Sequence, residues 1–281
     1  MLKMKNVMFV LGVCFVNLTM GQEVQGKAVY KSQRKMDFKI GSGQQATISE
    51  DQQAQINARL MKQFQKTFVL NFDQNTSIYT EEKSLTAPVG IPSNGLEVVV
   101  MGNGGGNDVL YKNMKEQRFV NKTEIMGKLF LIKDRLSAYD WQLTNETKSI
   151  GKYTCYKATY SREEEKVNMI LENGEMTKKI NKETIVTTAW YTSEVPVSTG
   201  PSYYHGLPGL VLEVIDGDVT IRCSEIILNP KEKVVINEPT KGKKVTQAAY
   251  REIMNKKTKE MMEKFKGRRD GERSIEIQVQ G

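Results

Sequence analysis

The chain has 281 residues, 39% of them hydrophobic, and carries a formal charge of +8. Its basicity is local: residues 231–269 hold 13 Lys or Arg against 5 Asp or Glu. The rest of the chain beyond residue 21 is close to neutral, which argues against a nucleic-acid groove along the fold.

Residues 1–21 read as a cleavable export signal. Lys3 and Lys5 precede an apolar run from Val7 to Val16, and small Gly21 stands before Gln22, the order of a secretory leader. The run is shorter than the ~20 apolar residues a spanning helix needs. Cys14 follows Val13, a branched residue where lipidation wants a small one, so cleavage before Gln22 is expected in preference to a lipid anchor.

The remainder, 22–281, is expected to form one β-rich domain with a basic helical C-terminal part, 239–281. A strand is predicted over 24–31. Ser49 and Gln52 make a capping box, and Ile56, Leu60 and Phe64 share a helical face, so a helix is predicted from 49 to about 66. A strand over 67–73 follows, then an irregular stretch, 84–107, with Pro88, Pro92 and a glycine run.

From 108 to 160 short segments rich in Val, Ile, Thr, Tyr and Phe recur every ~8–12 residues, the spacing of an antiparallel sheet. A polar segment, 161–182, reads as a long hairpin or a loop. Strands are predicted over 184–192, 210–215, 219–228 and 231–237, with a hairpin turn at Asp216-Gly217. A helix over 245–266 places Tyr250, Met254, Met261 and Phe265 on one face, and a final strand covers 274–280. The expected fold is mainly β (α+β): one large curved antiparallel sheet or half-barrel, an early covering helix and a C-terminal amphipathic helix.

The most organised stretch is 189–214. Leu207-Pro208-Gly209-Leu210 fits a type II turn, and Gly200-Pro201 marks another change of direction. Together with Gly206 these residues form the structural turn. Trp190, Tyr191, Tyr203, Tyr204, His205 and Glu213 lie in or beside it and are the ligand-binding candidates, since pockets are mostly apolar with a few polar groups.

His205 is the only histidine, so a Ser/His or Cys/His hydrolase would have to use it, with Ser198 or Ser202 near in sequence and Glu194 or Glu213 to orient the ring. No G-x-S-x-G or H-E-x-x-H is present, so no catalytic residue is assigned. No metal or cofactor is expected. In an oxidising compartment Cys155 and Cys223 are a candidate disulfide. The basic tail suits an anionic membrane surface or a protein partner.

This stretch strongly resembles the GLPGLI family of exported bacterial proteins. The resemblance rests on Gly206-Leu207-Pro208-Gly209-Leu210, with Val211 where the family name has Ile. It extends to Ala189-Trp190-Tyr191-Thr192, Val195-Pro196 and Gly200-Pro201. Upstream, Trp141 and the block from Thr147 to Ala158 are also similar to the family, Lys152 standing where a familiar variant has Gly. It covers most of the chain beyond residue 21 and is most specific over 139–215. The resemblance implies a secreted or envelope protein of a Gram-negative bacterium. It brings no established activity and no catalytic residues. The function expected is therefore a non-catalytic binding or assembly module in the periplasm or at the outer membrane, with an envelope protein or small ligand as partner. A hydrolase built on His205 is the alternative.

Overall fold

The computed structural model describes residues 24–34, 65–82, 108–172 and 175–266. The expected export signal, early helix and last strand lie outside the described residues, apart from Gln65 and Lys66, the C-terminal end of the helix range, where β2 begins instead.

Among the described residues twelve strands form one open sheet. They are β1 (Gly26–Arg34), β2 (Lys66–Phe72), β3 (Thr76–Glu81), β4 (Val109–Asn113), β5 (Arg118–Ile125), β6 (Lys128–Arg135), β7 (Gln142–Ile150), β8 (Tyr153–Glu172), β9 (Glu175–Thr192), β10 (Leu210–Asp216), β11 (Val219–Leu228) and β12 (Lys243–Val245). Their spatial order is β12-β6-β5-β4-β3-β2-β1-β11-β10-β9-β8-β7. All neighbours are antiparallel except β12, which adds to β6 in parallel. Helix α1 (Gln247–Lys266) follows.

Alternation sets which face is buried. In β1, Ala28 and Tyr30 are fully buried while Lys31 is exposed, the period of two that a one-sided core requires. The main core joins β1, β2, β3, β4, β5, β6, β8, β10 and β11 through residues such as Tyr30, Leu70, Phe72, Leu110, Phe119, Ile132, Cys155, Leu212 and Ile221. A second cluster holds Ala158, Ala189, Tyr191, Leu207, Val211 and Val214. A bulge between Val211 and Glu213 lets one strand serve both: Leu210 and Leu212 enter the main core, Val211 and Val214 the second.

The sheet is curled. β4 and β10 stand five positions apart in it, about 24 Å if it were flat. Yet the segment joining β9 to β10 bonds to both. Val211 N–H donates to Thr199 O at 3.0 Å, and Lys112 Nζ in β4 donates to Gly200 O at 2.7 Å.

Two expectations are corrected. The predicted strand 231–237 is not a strand. There the chain crosses the far face of β4–β6, where Ile236 packs on Tyr111, Val120 and Leu131, and Glu238 pairs with Arg118 and Lys133. The exposed edge of β6 goes instead to β12, which was not foreseen, and neither was β3. The polar segment 161–182 is a hairpin: β8 and β9 stay in register from Tyr156↔Tyr191 to Glu172↔Glu175. The β10–β11 turn falls one residue later than expected, because Asp216 pairs with Val219.

Helix α1 starts on Thr246, whose hydroxyl accepts from Ala249 N–H at 3.2 Å, and Asp134 accepts from Gln247 N–H at 3.0 Å. Tyr250 anchors it, its ring edge-on to Phe130.

Candidate functional site

The β9–β10 segment, 193–209, is knitted to the sheet along its length. Val195 and Val197 are buried in the main core. Thr199 and His205 form an isolated bridge, and Thr199 Oγ1 bonds Ser77 Oγ of β3 at 3.0 Å. Lys112 donates to two carbonyls, Gly200 O at 2.7 Å and Tyr204 O at 3.1 Å. Its side chain is completely buried with no carboxylate partner among the described residues, and burial pulls its pKa down to about 7.

The turn at the end of this segment is tighter than type II. Gly209 N–H donates to Leu207 O at 2.8 Å, a three-residue turn centred on Pro208, while Leu210 N–H goes to Val195 O at 3.0 Å. Val195 thus takes the donor a type II turn would have used. Gly209 has φ +156°, and a Cβ there would sit 2.1 Å from Thr192 O. Only glycine fits.

The sequence-derived binding candidates do not converge on one pocket; they separate into four settings. Tyr203 is a core contact, edge-on to Phe119, its hydroxyl accepting from Asn121 Nδ2 at 3.1 Å. Tyr191 is buried in the second cluster, beside Tyr156.

Trp190 and Glu213 form an electrostatic group. The Glu213 side chain is 1% exposed and holds Lys148 on Oε1 and Arg222 on Oε2. Lys148 Nζ also lies 4.2 Å from the centroid of the Trp190 ring. The two cations satisfy a carboxylate that would otherwise be buried and unpaired.

Tyr204 and His205 belong to an aromatic cluster with Tyr139, Trp141 and Tyr160. Tyr139 is its hub: stacked on Trp141, edge-on to Tyr160 and His205, and tilted against Tyr204. Trp141 Nε1 donates to His205 O at 2.9 Å, which fixes the indole against the segment. Tyr204 Oη donates to Asp216 Oδ2 at 2.6 Å, and Asp216 Oδ1 accepts from Arg162 Nη1 at 2.8 Å and Thr187 Oγ1 at 3.0 Å. Burial alone would raise the Asp216 pKa, but Arg162, Tyr204 and Thr187 together hold it below the usual carboxylate range. Burial pushes the Tyr139 hydroxyl up to about 12.

His205 itself is 5% exposed. Its Nδ1 lies 2.8 Å from Tyr203 O, so that nitrogen carries the proton. Burial, opposed by that bond and aided by Lys112, lowers its pKa and keeps the ring neutral. Among the described residues no serine, threonine or cysteine side chain hydrogen-bonds the ring. Tyr139, Trp141, Tyr160 and Tyr204 are each half-buried, so the cluster keeps aromatic surface open around a buried histidine. Tyr139 and Tyr160 carried no motif in the sequence. Tyr160 lies two residues from Ala158, and that alternation along β8 is the signal that could have found it.

Cys155 and Cys223 are free thiols, so the expected disulfide is not made. They share the main core, but Cys155 Sγ is turned to Tyr153 O and Cys223 Sγ to Glu225 O. Burial raises their pKa values to about 11 and about 12, so both are poor nucleophiles. No group of three or more His, Cys, Asp or Glu able to hold a metal occurs among the described residues.

Residues 141–213 match a family described as a protein of unknown function (Porph_ging). The match opens on Trp141 of the aromatic cluster and closes on Glu213 of the electrostatic group. No curated protein matches the chain. Among solved structures, PNGF-II in the C2 space group is similar over 81% of this chain and 32% of its own, at 14% identity and a TM-score of 0.46. PNGF-II in the P21 space group is similar over 82% and 33%, at 15% identity and a TM-score of 0.44. The chain therefore spans about a third of the length of the solved structures it resembles. Among the described residues no helix is long and apolar enough to cross a membrane.

Proposed function

We propose that this is an exported cell-envelope protein of the GLPGLI type, a non-catalytic module that binds a partner through the Tyr139–Trp141–Tyr160–Tyr204 cluster. The observation that carries the reading is the division of labour around the β9–β10 segment. Its inner side is spent on holding the sheet, through Lys112, Thr199, Val195 and Val197. Its outer side fixes Tyr204 and His205 beneath a set of half-buried rings.

Rings held rigidly by neighbours lose little entropy on binding and offer large contact area. The Tyr160 hydroxyl has no hydrogen-bond partner among the described residues, so it can orient a ligand. Arg162 and Asp216 at the rim supply charge. Export rests on the N-terminal leader, and the envelope assignment on the resemblance over 139–215. A basic helix α1 resting on anionic lipid is compatible with the same location.

The test is capture from native envelopes, with mass spectrometry of protein and small-molecule partners. Wild-type chain should retain a partner that Tyr160→Ala loses. Equal retention by both would overturn the proposed site. The hydrolase reading is weaker, because the protonated nitrogen of His205 is held by a carbonyl of its own segment and no hydroxyl is placed against the ring. Loss of turnover in His205→Gln, in a screen where wild type is active, would revive it.

A further inference from the structure

A groove beside β1 and β11 is lined by Lys31, Gln33, Gln65, Thr220, Arg222, Ser224 and the core residue Cys223. Lys31 and Arg222 are directly opposite each other in the antiparallel pair. Like charges in that relation repel, and folding has placed them there without an acid between them. Arg222 does have one acidic neighbour, Glu213, but meets it through Nε alone. The forked end of its guanidinium, Nη1 and Nη2, has no partner among the described residues. Its side chain is 63% exposed. Lys31 is exposed and likewise makes no ion pair among the described residues. Among the described residues no acidic side chain lines the groove.

Around the two cations the lining is neutral. Gln33 and Gln65 bring amides and Thr220 a hydroxyl, while the Ser224 hydroxyl already donates to Val29 O at 3.2 Å and Cys223 is turned to Glu225 O. A guanidinium fork beside an ammonium suits an anion with three or more acceptor oxygens. A carboxylate would leave donors unused. We propose that this groove binds a phosphate-type oxyanion, with Lys31 Nζ and Arg222 Nη1 and Nη2 as its principal donors. Glu213 and Lys148 fix the arginine from behind, since Glu213 holds Nε on one carboxylate oxygen and Lys148 on the other. The ligand is a free phosphate group or the phosphate of a lipid headgroup. The site stands apart from the aromatic cluster and does not depend on it.

The experiment titrates the chain from Gln22 to Gly281 with inorganic phosphate at low salt, and in parallel with phosphatidylcholine vesicles containing phosphatidylglycerol. The variants are Lys31→Gln, Arg222→Lys and, as a control on the same strand, Lys27→Gln. Loss of one charge-assisted partner should weaken binding about tenfold in Lys31→Gln. Arg222→Lys, which keeps the charge but loses the fork, should also weaken it. Lys27→Gln should not. Saturable binding of inorganic phosphate with this pattern supports a free-phosphate ligand. Binding to the vesicles alone, with the same dependence on Lys31, supports a headgroup. Failure of both probes, or equal binding by Lys31→Gln and wild type, would overturn the proposal.

Discussion

Nζ of Lys112 donates to the carbonyl of Gly200 across 2.7 Å, joining β4 to the segment between β9 and β10. Through this bond and its companion to Tyr204 O, the motif-bearing segment ties β4 to the far limb of the curled, open sheet. The loss of either partner should be felt in stability before it is felt in binding.

Lys112→Met tests that coupling. The variant strands two carbonyls, each costing about 1–3 kcal/mol if left unpaired, but removes a buried amine that resists protonation. The pH dependence separates the two effects. With its folded pKa near 7 and an unfolded value near 10.5, the unfolded chain binds more protons between these limits, so wild-type stability rises with pH there. Between pH 7 and 8.5 the gain should approach about 2 kcal/mol, read as the denaturation midpoint. His205, with its folded pKa below 6.5, adds a gain only at lower pH. In Lys112→Met the rise above pH 7 should vanish.

Gly209→Ala should be among the most damaging single changes. The added methyl would lie 2.1 Å from Thr192 O, at a φ that L-residues avoid. A loss of about 3 kcal/mol or more is expected, measured by chemical denaturation. Pro208→Ala, an exposed neighbour, should cost under about 1 kcal/mol.

Glu213→Gln removes the charge shared by Lys148 and Arg222. Both cations are partly exposed, so water compensates in part, and a loss of about 1–3 kcal/mol is expected. The change should also release Lys148 from Trp190, seen as a shift in tryptophan emission. Unaltered stability and emission would show that the group is not coupled.

The thiols give a chemical check. Native protein should react slowly with a thiol reagent, because Cys155 and Cys223 are buried with raised pKa values. On unfolding without reductant both should label. A peptide linking the two cysteines would contradict the structure.

Much of the sheet was legible because its strands alternate. Val219–Leu228 falls where the pattern put it, and Thr246 caps α1 one residue from the expected start. β3 was missed because Thr76–Glu81 has only Ile78 and Tyr79 as large apolar residues. Strand 231–237 was over-read, since an extended chain packing Ile236 on a sheet face has the same alternation as a strand.

The site was legible in its members more than in its shape. Tyr204 and His205 do meet Trp141, but Tyr139, the hub, reads in the sequence as the start of a strand over 139–146, whereas β7 begins only at Gln142 and Tyr139 sits in the connection from β6. Trp190 and Glu213 are adjacent in register across β9 and β10; alternation turns Trp190 away from Tyr191, and the bulge in β10 turns Glu213 away from Val211. The expected disulfide fails because Cys155 and Cys223, though both in the main core, do not come within disulfide distance, which counting cysteines does not reveal.

The most direct measurement of the proposed function is quantitative capture of any partner from native envelopes by wild type, Tyr160→Ala and Lys31→Gln under one set of conditions, each first shown to unfold at a similar denaturant concentration. If the aromatic cluster is the binding surface, Tyr160→Ala loses the partner and Lys31→Gln keeps it. A partner retained at wild-type level by a folded Tyr160→Ala would contradict the account.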